Sequence, residues 1–364
     1  MAMDIKTTLQ TLVDIEAIKN VLALHSRAID RCDAEQLKST YHADAKVAYG
    51  FFDGMAYEFC DMVTSVTRGG PVTLHRTQNM WIKLDKDSAK SESYVIAYLH
   101  VEGDEGSVQS LIGGRYLDRH ERRNGEWRLA HRGYVMDWNL NQTGSGTALA
   151  DYVSPFTRGA YDRDDPGNQL LEAWNTQKDT TAELGDREMQ VPASLIVAAE
   201  AAMAKQEIHD LIMSQARAVD RSDAELFKSV WHEYATADIG IYEGSAEDLC
   251  PFLMDATKDM KCMFHSVANE WIKVDKLTAV SESYVIAYSR NEEEGAEVDR
   301  ITGGRYLDKF ESRNGVWKFN HRKFIMDYVI EQPSSFQSDG AMYETLKIRG
   351  ARFPEDPVYA FWNN

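Results

Sequence analysis

The octapeptide SESYVIAY occupies Ser91–Tyr98 and recurs, letter for letter, at Ser281–Tyr288. The same offset of 190 residues carries Asp30 onto Asp220, His75 onto His265, Trp81 onto Trp271, and the GGRYLD run at Gly113 onto that at Gly303. No net gap is needed between Asp30 and Asp137, so one domain is written twice. A period this long describes tandem domains and not a solenoid, because each copy is large enough to bury its own core. The repeat predicts two independently folded units over Asp14–Asp137 and Ala204–Asp327, inside domains of residues 1–178 and 190–364.

Within a copy, helical texture comes first. Ile15, Ile18, Leu22 and Ile29 recur at helical spacing after Asp14, a candidate N-cap, and predict a helix ending at Asp30. Asp33-Ala-Glu-Gln36 has the form of a capping box and opens a short second helix. A short strand through Val47 and Tyr49 and a third helix over residues 57–66 follow. From Val72 the pattern is β: a strand to Leu84, the SESYVIAY strand, a strand over residues 111–122, and a last strand over residues 127–138. Asn124-Gly125 marks a hairpin, since both turn positions need positive φ. Helices followed by an antiparallel meander make an α+β domain.

Each copy also owns an extension. Arg158-Gly159-Ala160, Asp165-Pro166 and Trp174-Asn175 return as Arg349-Gly350-Ala351, Asp356-Pro357 and Trp362-Asn363. Proline and aspartate spacing gives these tails no regular structure of their own, so they are expected to fold over a pocket mouth or a neighbouring subunit. The linker is residues 177–191.

Composition narrows the function. A net charge of −18 repels phosphate backbones, which argues against nucleic acid as a partner. No basic leader with an apolar core and no membrane-length apolar run is present, so no membrane association and a cytoplasmic location are expected. Cys32, Cys60, Cys250 and Cys262 form no CxxC pair, and no glycine-rich loop opens a helix after a strand, so neither zinc nor nucleotide is signalled.

A helix ending in Ile-Asp-Arg-x-Asp (Val-Asp-Arg-x-Asp in the second copy), a strand with a single His, Gly-Gly-Arg-Tyr, and Gly-x-Trp-x-x-x-His-Arg follow in that order in both copies. This order resembles the SnoaL-like branch of the nuclear transport factor 2 (NTF2) superfamily, which includes scytalone dehydratase and hexachlorocyclohexane dehydrochlorinase. The resemblance implies two tandem cone-shaped NTF2-like α+β barrels, each a strongly bent, mainly antiparallel sheet wrapped around helices with a pocket at its open end. It further implies a His on the sheet as general base, oriented by an Asp at the end of the first helix: His75 with Asp30, and His265 with Asp220. His131 and His321 on the last strand are candidates for a second catalytic group. No cofactor is expected, since the relatives work without a metal. The alternative is a facial iron triad of His75, His131 and Asp30.

A carboxylate behind a His fixes its tautomer and stabilises the imidazolium that forms, which suits proton abstraction. Asn79 and Asn269 lie four residues beyond each His, on the same face by strand alternation, and are candidates to hold a substrate oxygen. Arg115 and Arg305 follow two glycines and would bind an oxyanion or form a buried ion pair. Tyr49, Tyr94 and Trp81 suit the wall of an aromatic pocket. His25 becomes Gln215 in the second copy, and Thr77 and Gln78 become Val267 and Ala268, so the first copy is expected to hold the more polar pocket. With the resemblance, these residues lead to the expectation of a cofactor-independent lyase acting on a small hydroxylated aromatic compound. Similarity to tandem SnoaL-like lyases of aromatic catabolism implies, as the sharper expectation, loss of formaldehyde from a lignin-derived diarylpropane. The rival is a non-catalytic binding or assembly module. The expected assembly is a homo-oligomer, trimer or dimer.

Overall fold

The computed structural model describes residues 5–68, 73–103, 106–143, 193–340 and 343–363. The first extension and the 177–191 linker lie outside the described residues. In the first copy the elements are α1 (Ile5–Asp30), α2 (Ala34–Ser39), β1 (Tyr41–Ala48), β2 (Asp53–Met55), α3 (Ala56–Thr67), β3 (Leu74–Asp85), β4 (Ser88–Gly103), β5 (Gly106–Arg123) and β6 (Glu126–Thr143). The second copy repeats them as α4 (Ala193–Asp220), α5 (Ala224–Ser229), β7 (Trp231–Asp238), β8 (Glu243–Ser245), α6 (Ala246–Ala256), β9 (Cys262–Asp275), β10 (Thr278–Glu293), β11 (Ala296–Arg313) and β12 (Val316–Pro333). The chain ends in α7 (Pro357–Asn363).

Each copy builds its own six-stranded sheet, ordered β2-β1-β6-β5-β4-β3 and β8-β7-β12-β11-β10-β9. Among the described residues no strand crosses from one sheet to the other, as the gapless repeat predicts. β1 runs parallel to β6, so the sheet is mixed where the sequence pattern suggested only a meander. The hairpin turn is as read, with Asn124 at φ +53° and Gly125 at φ +83°.

The helices sit on the sheet through their apolar stripes. Ile15, Ile18 and Leu22 of α1 pack on Ile82, Ala89 and Trp127. Asp14 is not a cap: α1 begins well before it, and its buried carboxylate accepts from Trp127 Nε1 at 2.9 Å and Arg122 Nη1 at 2.8 Å. It thereby pins the middle of α1 to the end of the sheet. Asp33 does cap α2, accepting from Gln36 N at 2.9 Å. Register shifts at Gly113/Gly114 and Arg119/His120 bend the sheet. A Cβ on Gly113 would lie 1.9 Å from Trp138 Nε1, so the indole takes the space the glycine leaves.

The two cones pack directly on one another. Trp138 stacks on Tyr288 with centroids 4.3 Å apart, and Tyr94 and Phe264 complete this shared apolar cluster.

The second extension lies on the first cone, across a chain separation of more than two hundred residues. Met136 N donates to Ile348 O, and Gly350 N donates back to Met136 O, each at 3.0 Å. A Cβ on Gly350 would lie 1.7 Å from Asp137 Oδ1, which explains the glycine of the RGA motif. Val358 packs on Leu117 and Val135, and Trp362 against Trp81 at 5.5 Å. Contrary to the reading from proline spacing, the tail has regular structure in α7, because Val358 and Trp362 have an apolar surface to fold on. Deleting residues 350–364 should therefore lower the thermal midpoint by about 5 °C or more, as a few kcal/mol of burial shifts a chain of this size by roughly 2–4 °C per kcal/mol. An unchanged melting curve would make the tail a passenger.

Among the described residues, no helix is long and apolar enough to cross a membrane.

Candidate active site

α1 ends at Asp30, where it passes β3. Asp30 Oδ1 accepts from His75 Nδ1 at 2.7 Å and from Thr73 Oγ1 at 2.9 Å, and Oδ2 accepts from the His75 backbone N–H at 2.8 Å. A carboxylate accepts only, so His75 carries its proton on Nδ1 and presents a lone pair at Nε2. Nε2 has no hydrogen-bond partner among the described residues. The side chain of His75 is 15 % exposed, while that of Asp30 is 5 % exposed. This is a base with one end fixed and the other accessible. The second cone reproduces it: His265 Nδ1 lies 2.5 Å from Asp220 Oδ1, and His265 N donates to Oδ2 at 3.0 Å.

The His75 pair opens on a hollow of about 480 Å³ lined by Ser26, Thr77, Gln78 and Arg27, with Ala268 of the second cone on its far wall. Ser26 Oγ and Thr77 Oγ1 share a hydrogen bond of 2.7 Å. Deeper inside, His25 is fully buried between Tyr41 OH and Arg132 Nη1, both at 2.8 Å. A guanidinium only donates, so His25 Nδ1 is the acceptor and Nε2 carries the proton. Burial, then the Arg132 charge, hold the His25 imidazole well below its usual range, and it stays neutral. Arg132 in turn is forked onto Asp118 at 2.8 and 2.7 Å and lies over the Tyr116 ring at 3.9 Å. Around it, Tyr49, Tyr116 and Tyr134 are phenols that burial pushes up.

The second cone keeps Arg322, Asp308 and Tyr306 in the same arrangement. At the His25 position, however, Gln215 accepts from Trp231 Nε1 at 3.1 Å. Ile239 and Phe324 stand where the first cone has Tyr49 and Tyr134. The first interior is the more polar one.

Several residues expected at the pocket are elsewhere. His131 sits on the face of β6 opposite Arg132 and does not join His75, so the three-residue iron set does not assemble; it is Arg132 that points inward. His321 likewise lies outside, with Nδ1 2.8 Å from Thr236 Oγ1 beside Trp271 and Lys323. Asn79 leaves the face of His75 because β3 bulges between Gln78 and Trp81 and Asn79 adopts φ +48°. Its amide instead pairs with the edge of β9, donating to His265 O and accepting from Val267 N, each at 2.7 Å. Asn269 has the same left-handed backbone, at φ +52°, and is exposed.

Arg115 is wholly buried and binds no ligand: it is forked onto Asp137 (2.9 and 3.0 Å) and onto Asp356 of the tail (2.8 and 2.7 Å). Arg305, its copy, is partly exposed on Asp327. Tyr94 donates to Asp220 Oδ2 at 3.0 Å, so it serves the second cone's pair. Trp81 is packed between Trp362 and the Arg217 guanidinium. Tyr49 stacks on Phe59 at 4.5 Å in the core of its own cone. Of the expected set, His75, Asp30 and Thr77 come together at the hollow, and His25 stands behind them.

The family described as "SnoaL-like domain" matches residues 10–133 and again residues 200–323, together more than half of the chain. The chain belongs to the SnoaL-like domain family. The two matches span the two cones, so this is a tandem SnoaL-like protein of the NTF2-like fold. Solved structures are similar to one cone at a time. The Kfla4162 protein of Kribbella flavida is 16 % identical, covering 35 % of this chain and 94 % of its own, with TM-score 0.33. A hexachlorocyclohexane dehydrochlorinase, LinA-type3, from Novosphingobium barchaimii is 23 % identical, covering 36 % and 91 %, with TM-score 0.32. LinA itself is 24 % identical, covering 37 % and 91 %, with TM-score 0.32. No curated protein matches the chain.

Proposed function

We propose that this SnoaL-like protein is a cofactor-independent lyase that eliminates water from a small hydroxylated aromatic compound in the first cone, with His75 as the base. The observation that carries this reading is the His75–Asp30 pair. Its Nδ1–H is tied to a buried carboxylate, its Nε2 is accessible, and it borders a hollow large enough for an aromatic molecule.

In the mechanism, His75 Nε2 takes the proton of a phenolic hydroxyl, and Asp30 stabilises the imidazolium. The electron pair released into the ring expels the benzylic hydroxyl, which leaves as water once it receives the proton from the imidazolium. The product of this step is a neutral quinone methide. With a neighbouring hydroxymethyl group, as in a lignin-derived diarylpropane diol, the quinone methide is an electron sink. The hydroxymethyl O–H gives its proton to His75, the C–C bond breaks, formaldehyde leaves, and the bonding pair re-forms the phenolate beside a new C=C bond. The imidazolium then returns its proton to the phenolate. One diol yields one stilbene, one water and one formaldehyde, with no oxidant or reductant. Ser26 and Thr77 are placed to hold the departing oxygen.

The test is to incubate the protein with benzylic alcohols of this class, with and without a chelator. Conjugated product should be followed by absorbance and formaldehyde by trapping. The expected result is chelator-insensitive turnover with equal yields of stilbene and formaldehyde from the diol, and loss of water alone from substrates without the hydroxymethyl group. Aromatic ligands that bind without any turnover would make the cone a binding module instead.

A further inference from the structure

We propose that two copies of this chain close head-to-tail into a ring through the faces their cones leave open, and that the second chain thereby supplies a tyrosine to the His75–Asp30 site. The assembly rests on packing alone. Only the tyrosine's catalytic meaning rests on the function proposed above.

The contact between the two cones of one chain is heterologous. Asn79 meets His265 and Val267, and Tyr94 meets Asp220. Glu92 pairs with Arg217 at 3.1 Å, and Asp137 with Arg221 at 3.0 Å. The reciprocal contacts, Asn269 with His75 and Tyr284 with Asp30, are not made among the described residues. A two-fold contact would make both. A head-to-tail contact uses one face of each copy and leaves the complementary face of each unused, and such contacts end only when a ring closes.

The unused faces carry the residues of the used ones. On the second cone these are Tyr284, Glu282, Asp327 and Tyr328, at the positions of Tyr94, Glu92, Asp137 and Trp138. On the first cone they are Asp30, Arg27 and Arg31, at the positions of Asp220, Arg217 and Arg221. Charge complementarity is therefore preserved, acidic face to basic face. Burial reports the missing partner. Tyr284 is 49 % exposed against 2 % for Tyr94, and Leu74 51 % against 0 % for Phe264. Large apolar side chains left exposed on both open faces, at positions that are buried in the existing contact, are what a further contact of the same kind would cover. A cavity of about 260 Å³ between the cones is lined by matched positions of both copies, Tyr98 with Tyr288 and Trp138 with Tyr328 among them. The same surface of each cone therefore faces one common axis.

Asp30 shows what the second chain adds. Asp220 Oδ2 accepts from both His265 N and Tyr94 OH, whereas Asp30 Oδ2 accepts from His75 N alone among the described residues. Across the ring junction, Tyr284 of the second chain takes the place of Tyr94 and donates to Asp30. Tyr284 is a positioning residue: it acts on the base through the carboxylate.

Light scattering on the eluting full-length protein, at tens of micromolar, tests the ring. The expected mass is twice the 41.3 kDa of one chain. A double variant, Tyr284→Glu with Tyr328→Glu, and a separate Leu74→Arg variant should each halve the mass while keeping the thermal midpoint within a few degrees. Mixing the two variants should restore a two-chain species, since one intact junction remains in the mixture. A wild-type protein that stays at one chain mass would overturn the ring, its open face then being covered by residues 144–192 or by a different protein. A dimer that survives both variants, or variants that do not recombine, would overturn it equally. Imidazole resonances test the tyrosine: Tyr284→Phe should shift the Nδ1–H resonance of His75 and leave that of His265 alone, and Tyr94→Phe should do the reverse. An unmoved His75 in an intact dimer would remove Tyr284 from the site while leaving the ring in place.

Discussion

Replacing His75 with Gln should lower turnover by at least about 10²-fold, because a positioned base contributes roughly 10²–10⁴-fold. Glutamine keeps most of the volume and can still donate to Asp30, so folding and ligand affinity should change little. What disappears is the lone pair at Nε2 that accepts the proton. The loss should fall on kcat and kcat/KM together, the signature of a group that acts in the transition state. Asp30→Asn should slow the same step, since the imidazolium loses its counter-charge while the backbone N–H of His75 keeps an acceptor. His265→Gln should be nearly silent. The second cone presents Gln215, Ile239 and Phe324 where the first has His25, Tyr49 and Tyr134, and Asn79 of the first cone is bonded to the edge beside His265. Steady-state kinetics on the three variants and the His75/His265 double variant decide the matter. If the double variant turns over at the wild-type rate, neither histidine is the base.

The second large effect should come from Arg115→Met. The guanidinium is 0 % exposed, and so are the side chains of Asp137 and Asp356 that it holds. Removing it leaves two buried carboxylates sharing one cation among the described residues, Arg221 at 3.0 and 3.2 Å, with the Ala351 and Val358 N–H groups still donating to Asp356. Breaking a buried pair in this way costs about 3–5 kcal/mol, so the thermal midpoint should fall by roughly 10 °C. Acid supplies a second readout. Burial pushes the Asp356 carboxyl up, but the charge and hydrogen bonds of Arg115, with help from Arg221, pull it down to about 2. A depressed carboxyl stabilises the fold above about pH 4, its unfolded range, and that stabilisation is lost as pH falls towards 2. The wild type should therefore lose stability over this window. In the variant the stranded carboxylates are relieved by protonation, so its deficit should narrow at low pH. A deficit that is constant with pH would mean that Arg115 contributes packing and not charge.

The pairing of each histidine with its aspartate was legible through the family resemblance, at matching positions of both copies, and the two sheets through the repeat. The neighbours of that pair were not. Strand alternation puts Asn79 beside His75, but a bulge at that point rotates it into the other cone. Alternation also leaves His131 and Arg132 equally eligible to face inward. A register shift at Arg119/His120 and the salt bridge to Asp118 decide for the arginine. Nothing in a periodic pattern says that the acceptor of the Tyr94 hydroxyl lies in the other copy. Repeated elements fold by the same local rules, and how they dock depends on surfaces that the repeat leaves nearly equal. The Trp-Asn ending signalled that the tail belongs to a domain, but not to which one.

The path of that tail also sets an order of events during synthesis. Arg115 meets Asp137 after 22 further residues but Asp356 only after 241. At roughly 5–20 residues per second, the ribosome takes on the order of ten to fifty seconds to cross that interval. For most of it the first cone is already made, with Arg115 lacking its second carboxylate fork and Trp81 lacking Trp362. The half of the protein proposed to do the chemistry thus emerges first and is finished last, by the final turns of its own chain.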